Sequence, residues 1–544
     1  MKSSLLTAAL GAALLGVPLG AQPNATAARP SLLVFFTIDQ GTPVYFTRYG
    51  AQLSGGLKRL WDGGAVFTDA HQDHGTTETA PGHASVMSGR FPSHTGIVRN
   101  NAGVQDPQAP LIGAPKGEPA SPFRFRGSVL TDWMRIADPR TRALSVSRKD
   151  RGAILPMGRA HQSVFWYGYN GTFTTSTYYA DTLPTWVRQF NARGGGPLKR
   201  FAGQAWTLLL PPNAYPEPDS VPVENGGKAF TFPHVFPTDS AAEAPELTNY
   251  PWMDQLTLDL ALEGLRQMKL GDGPQTDVLA ISLSATDAVG HRYGMDSREM
   301  HDHILRLDRS LGAFLDSLYK LRDSTRVIVA LTADHGMSPY PELHFEGTDP
   351  NRGRANVAPA LQRAFQGLAD RGVPRDAVDF ESGVVLLDKP ALARARVNAD
   401  SVVRSLVADL SKVPGVMHVY RREELAGLAG QDKYARRWLH MTPDDLPAVA
   451  YVTLQPYYYY KQTAYATHGS PHDYDTRVSL IFYGAPFKPG KYAEFARTVD
   501  IAPTLAAVLG VSPTEPIDGV VLRAALKAPP AAASAGAPRV TKDR

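Results

Sequence analysis

Short apolar runs recur along the chain, each closed by polar or turn-forming residues. Leu32–Ile38, Val278–Leu283, Val327–Leu331 and Val478–Tyr483 are nearly continuous in apolar character rather than alternating. That pattern predicts strands covered on both faces, as in a parallel sheet. Between them the period changes. Met300, Ile304, Leu307, Leu311, Phe314 and Leu318 recur at alternating steps of four and three, one apolar stripe along a helix over Glu299–Leu321. A second helix over Val499–Leu509 ends at Gly510, a residue suited to a C-cap. Strands alternating with helices predict an α/β domain, a largely parallel sheet flanked by helices. Between about 345 and 465 a helix over Val402–Leu410 sits among strand patterns at Gly383–Leu387, Met417–Tyr420 and Ala448–Leu454. We read 345–465 as a smaller α+β insertion, and 31–344 with 466–526 as the main domain.

The ends carry other signals. Residues 1–21 combine Lys2, the apolar stretch Leu5–Leu19 and small residues at Gly20 and Ala21, a secretory signal cleaved near Ala21. Residues 22–30 form a linker and 527–544 a low-complexity Ala/Pro tail expected to be disordered. Of 544 residues, 43% are apolar and 20% charged, which excludes a disordered chain. The net charge of +4 is too mild to argue for nucleic acid. No later apolar run approaches the roughly 18 residues that cross a bilayer, so no membrane association is expected after signal cleavage. There is no cysteine. This excludes disulfides, iron–sulfur clusters, Cys-ligated zinc and a thiol nucleophile together, and fits a periplasmic or secreted bacterial protein.

Three predicted strands lead into a carboxylate: Ile38 into Asp39, the Leu283 strand into Asp287 and the Leu331 strand into Asp334. An aspartate in such a place is commonly a turn former, but in open α/β sheets ligands gather outside the carboxyl ends of strands. Histidines accompany these acids: His291 four residues after Asp287, His335 next to Asp334, and His468 before the Val478 strand. Six such ligands suit two zinc-like ions with three protein ligands each, leaving each ion a position for substrate or nucleophile. Paired ions roughly 4 Å apart suit in-line displacement at phosphorus.

The segment Thr76–His83 reads as a loop turning into a short helix, with Thr79 at the N-cap and Pro81 in the first turn. A hydroxyl there meets unpaired N–H groups and the positive end of the helix dipole, which favour an alkoxide and a bound phosphate. Lys149 and Arg151, two apart after the strand Ala143–Ser147, could both meet one dianionic phosphoryl group. Asn100 and Asn101 follow the SHTGIVR turn as further donors.

The motifs TETAPGH, GIVRNN, SRKDRGAILP, SATDAVGH, LTADHG and ATHGSPHDYD occur in the order seen in the alkaline phosphatase superfamily. Over about residues 31–525 the chain resembles its bacterial threonine-nucleophile alkaline phosphatases, of the PafA and Sphingomonas type. The resemblance implies an alkaline-phosphatase-like fold and a broad-specificity, exported phosphomonoesterase with two Zn2+ per chain. It would act on small-molecule phosphate monoesters through a phosphothreonine intermediate; a monomer is compatible with the sequence, which does not itself reveal the oligomeric state. Carried across, Thr79 matches the nucleophile; Asp39, Asp334 and His335, with Thr79, match the ligands of the zinc that activates it. Asp287, His291 and His468 match the ligands of the other zinc, beside the leaving group. Asn100, Lys149 and Arg151 match the phosphate-binding residues, Asn100 being preferred to Asn101 by its spacing from Thr79. Ala80 stands where relatives often carry Cys.

A nucleotide pyrophosphatase/phosphodiesterase would share the threonine and the paired metals, but the Lys-Asp-Arg element speaks against it. A non-catalytic periplasmic metal or phosphate binder would have no use for the Thr79 hydroxyl. Sulfatases lack support because their Cys/Ser-x-Pro-Ser-Arg segment is absent. Other positions are quieter. Tyr457–Tyr460 reads as an edge strand or packed aromatics more than a pocket rim, and His83 as a packed helix residue. Trp166 and Tyr167 are ambiguous between core and substrate wall. His301 and His303, off the apolar stripe, are expected to face solvent.

Overall fold

The computed structural model describes residues 29–113, 117–238, 240–345 and 352–527. The signal at 1–21, the linker up to 28 and the tail from 528 lie outside them. The strands of the two larger sheets are, in chain order, β1 (Leu32–Ile38), β2 (Ala65–His71), β3 (Ala143–Ser147), β4 (Ser163–Tyr167), β5 (Phe173–Thr174), β6 (Asp277–Leu283), β7 (Val327–Thr332), β8 (Val378–Glu381), β9 (Val384–Leu387), β10 (Val416–Arg421), β11 (Ala448–Leu454), β12 (Arg477–Tyr483) and β13 (Gly490–Arg497). Nine make one sheet, ordered β13-β2-β12-β7-β1-β6-β3-β4-β5. The run β7-β1-β6-β3-β4 is parallel throughout.

Apolar continuity reports burial on both faces, and the sheet has it. Along β1, Leu32, Val34, Phe36 and Ile38 point into one core and Leu33 and Phe35 into the other. Burying each such side chain stabilises by about 1.5–3 kcal/mol. Continuity does not report direction: β12, buried as expected, runs antiparallel to both β7 and β2. The α/β fold with helices on both faces of a large mixed sheet is otherwise as predicted.

The long helix spans Arg298–Leu321, opened by Ser297, whose hydroxyl accepts from the Met300 amide. Its polar side does not face water. His301 and His303 are buried, contrary to the expectation from the stripe. His301 stacks on Tyr49 at 4.0 Å and bonds Glu217 at 2.8 Å, while His303 meets the Thr286 hydroxyl at 2.9 Å. Neighbouring segments cover the face that a helical stripe alone would assign to solvent. Trp166 and Tyr167 also belong to the core.

The second sheet, β8-β9-β11-β10, is antiparallel. Helices Ala358–Ala369 and Ala399–Leu410 share a core with one face, and helix Lys433–His440 lies on the other through Trp438. That helix also joins the two sheets. Arg437, only 2% exposed, donates to the Pro471 carbonyl at 2.6 Å and to Asp473 at 2.8 Å, and lies 3.4 Å from Asp73.

Candidate active site

The central position of β1 brings the acids together. Its last residues pair with both neighbours, Ile38 opposite Leu283 on β6 and Thr37 opposite Thr332 on β7. Asp39 follows β1 directly, and Asp334 and His335 lie two and three residues past β7. Asp287 sits in the first turn of helix Ala285–Tyr293, which begins just after β6. One helical turn later on the same face, His291 Nε2 is 3.2 Å from Asp287 Oδ1. Three strand ends side by side therefore deliver three buried carboxylates to one crevice.

The Thr79 segment packs against this crevice as helix Thr79–Val86, but Glu78, not Thr79, is the N-cap. Glu78 is extended, and its carbonyl accepts from the Gly82 amide at 3.1 Å. Thr79 is thus the first helical residue, and its hydroxyl is released from capping. Gly82 permits the close approach: a Cβ there would lie 2.2 Å from the Asp334 carbonyl oxygen. His83 is fully buried, with Nδ1 2.9 Å from the Thr79 carbonyl and 3.1 Å from Asp334 Oδ2.

Three imidazoles present the same nitrogen to the crevice. Nδ1 of His291, His335 and His468 lies 2.6, 2.9 and 2.7 Å from the backbone carbonyls of Ala466, Gly336 and Thr77. A carbonyl only accepts, so Nδ1 donates in each case and each ring turns its Nε2 inward. His468 Nε2 is 3.4 Å from Asp287 Oδ1, and His335 Nε2 is 3.3 Å from Asp39 Oδ1.

Lys149 enters the crevice as well. Its Nζ lies 2.6 Å from Asp39 Oδ2 and 2.7 Å from Asp287 Oδ2, and donates to Thr79 Oγ1 at 3.0 Å. Burial and Asp287 push the Asp39 carboxyl up, but Lys149 and His335 outweigh them and hold it well below the usual carboxylate range. Arg151 does not reach Thr79 as Lys149 does: its guanidinium lies 3.4 Å from Asp150, and its buried Nε has no hydrogen-bond partner. Asn100 is close to the Thr79 helix, its Oδ1 accepting from the Ala80 amide at 2.9 Å. Since that amide can only donate, the Asn100 NH2 is the end left for another acceptor. Asn101 turns away, toward Glu381.

The donor set fits divalent cations. Asp39 Oδ1, Asp287 Oδ1, Asp334 Oδ2 and His335 Nε2 are buried atoms without a hydrogen bond, an arrangement that costs free energy unless a cation engages them. Two groupings lie within 4.8 Å, Asp39/Asp334/His335 and Asp287/His335/His468. The first is the expected trio; the second shares His335 with it, and His291 lies 3.2 Å from His468. Beside them opens a cavity of about 320 Å3, lined by His291, His468, Asn100 and Glu78 and walled by Trp438, Tyr458–Tyr460 and Tyr474. The tyrosine run is thus both a short strand (Tyr459–Tyr460) and a pocket wall.

Residues 33–475 match the type I phosphodiesterase / nucleotide pyrophosphatase family. The chain belongs to that family. Among its similar relatives are alkaline phosphatase PhoV of Synechococcus elongatus, 31% identical over 92% of this chain and 94% of the relative, and alkaline phosphatase PhoK of a Sphingomonas species, 32% identical over 90% of each. The crystal structure of alkaline phosphatase PafA superposes with a TM-score of 0.83 at 27% identity, covering 92% of this chain and 99% of PafA. This family member is therefore an enzyme of the alkaline phosphatase superfamily, as its motifs suggested.

Sequence reasoning passed over three groups that shape the site. Arg148, next to Lys149, lies 3.9 Å from Asp287. His83 was legible as packed, but not as a contact of Asp334. Glu78, inside TETAPGH, accepts the Asn100 amide at 2.8 Å. Only adjacency to a motif residue marked any of them.

Proposed function

We propose that this enzyme is an exported, zinc-dependent phosphomonoesterase that works through a phosphothreonine at Thr79. The observation that carries the reading is the Thr79 hydroxyl, 1% exposed and 3.0 Å from the Lys149 ammonium, beside carboxylate oxygens and the His335 Nε2 that lack hydrogen bonds. Asp39, Asp334 and His335, with Thr79, would hold one ion, and Asp287, His291 and His468 the other. Bound there, the ions would supply Lewis acidity at the attacking and departing oxygens.

The chain's own groups then position the reaction. Thr79 Oγ bonds to phosphorus as the bond to the ester oxygen breaks, and the alcohol leaves on the cavity side. Water later cleaves the Thr79–phosphate ester and releases inorganic phosphate. Lys149 and the Asn100 NH2 engage non-bridging oxygens, and Arg151 joins them by turning away from Asp150. The tyrosine wall accommodates the organic group. The signal-like residues 1–21 support export, and no helix of the described residues is long and apolar enough to cross a membrane.

A second reading, a phosphodiesterase, is favoured by one observation: Arg151, the group meant for the extra monoester charge, pairs with Asp150. Turnover of phenyl phosphate against methyl phenyl phosphate, with metal analysis of the same sample, separates the two. Zinc near two per chain with much faster monoester turnover is expected; faster diester turnover would overturn the proposal.

A further inference from the structure

Three consecutive residues, Arg99, Asn100 and Asn101, are gripped by one hairpin of the second sheet. In the β8–β9 hairpin, Glu381 pairs with Val384, leaving a two-residue turn of Ser382 and Gly383. Glu381 takes the outer residues: one carboxylate oxygen accepts from Arg99, the other from Asn101 at 2.5 Å. Arg99 also lies 3.2 Å from Asp379. The middle residue is held through Glu78. Its Oε2 accepts the Asn100 amide at 2.8 Å, and its Oε1 accepts the Ser382 hydroxyl. Asn100 in turn accepts from the Ala80 amide, next to Thr79.

The turn residues are informative. Two-residue hairpins of this kind need positive φ at both positions, and Ser382 and Gly383 have φ of 50° and 85°. A Cβ on Gly383 would lie 2.8 Å from the Val452 carbonyl oxygen, so glycine is required there. At 382 no such need exists: asparagine or glycine would suit the left-handed backbone better than serine. The turn carries a residue it does not favour, and that residue's hydroxyl is bonded to Glu78.

We propose that the Glu381-Ser382 hairpin tip is a positioning clamp for Asn100. It fixes the Asn100 backbone through Glu78 and the flanking residues, so that the side-chain NH2 meets a phosphoryl oxygen without searching. Glu381, Ser382 and Glu78 act through Asn100 and touch no reacting atom. The second sheet then tunes phosphate affinity from outside the main sheet. This rests on Asn100 binding the phosphoryl group, as proposed above.

The test is S382G, which relieves the turn backbone and deletes the hydroxyl, beside E381A and N100A, all in the full chain. The inhibition constant of inorganic phosphate and the KM-against-kcat split are read together with thermal melts. S382G should melt no lower than wild type yet bind phosphate roughly tenfold more weakly, in line with the usual cost of losing an orienting partner, with KM raised more than kcat is lowered. E381A should act in the same direction, and N100A should weaken phosphate at least as much. If N100A weakens phosphate and S382G does not, the clamp is overturned while the phosphate-binding reading stands. If N100A leaves phosphate affinity unchanged, the reading of Asn100 fails and the clamp with it.

Discussion

His335 and His468 lie face to face, their ring centroids 3.5 Å apart and their planes within 13° of parallel. Two imidazolium ions cannot share that contact. Burial pulls His335 down, but Asp334 and Asp39 raise it further, to about 9. His468 is pulled to about 3, first by burial and then by the charge on His335.

That asymmetry fixes a pH dependence for the chelator-treated protein. His335 is raised, so its stabilisation is complete below about pH 6.5 and disappears as pH rises through about 9. His468 is depressed, so its contribution is present above about 6.5 and disappears as pH falls through about 3. The difference in melting temperature between wild type and His335→Gln should therefore shrink from pH 6.5 to 9. A difference constant with pH would sink the assignment. Metal loading expels the His335 proton, so zinc affinity should rise by up to about tenfold per pH unit below 9, measurable with a competing chelator.

Thr79→Ala should lower monoester turnover by at least about 1,000-fold with little loss of bound metal, because three side-chain ligands of each grouping remain. Thr79→Ser should retain a substantial part, since a hydroxyl persists at the first helical position. Turnover near the wild-type rate in the alanine variant would falsify the covalent mechanism.

Lys149 touches the Thr79 hydroxyl and Arg151 does not. Lys149→Ala should lower monoester kcat/KM by about 100-fold or more, and Arg151→Ala by less, roughly tenfold. Both losses should be smaller on a methyl diester, which has one anionic oxygen fewer. Equal losses on the two ester classes would refute this account of selectivity.

Gly82→Ala would put a methyl group against Asp334. Overpacking of this kind costs about 1–3 kcal/mol, and a shift of the Thr79 helix near 1 Å can cost about 100-fold in rate. We expect a lower melting temperature and a larger fall in kcat than in metal content. An unchanged kcat would show that the close approach is not needed for catalysis.

Much of the molecule was legible in its residues. Uninterrupted apolar runs marked β1, β6, β7 and β12, and an acid after three of them marked the crevice, because a doubly covered strand leaves only its end for polar chemistry. The i, i+4 spacing of Asp287 and His291 fixed their common face once the segment was known to be helical. What periodicity does not carry is direction and company. It could not show that β12 runs antiparallel, that other segments bury His301 and His303, or that Glu78 takes the cap and frees Thr79. Nor could it show that Lys149 reaches in while Arg151 pairs with Asp150, or that a hairpin some 280 residues away bonds Asn101, next to Asn100. Burial and local conformation follow from neighbours along the chain. Contacts between segments far apart in sequence are decided by close packing in three dimensions, and no local pattern encodes them.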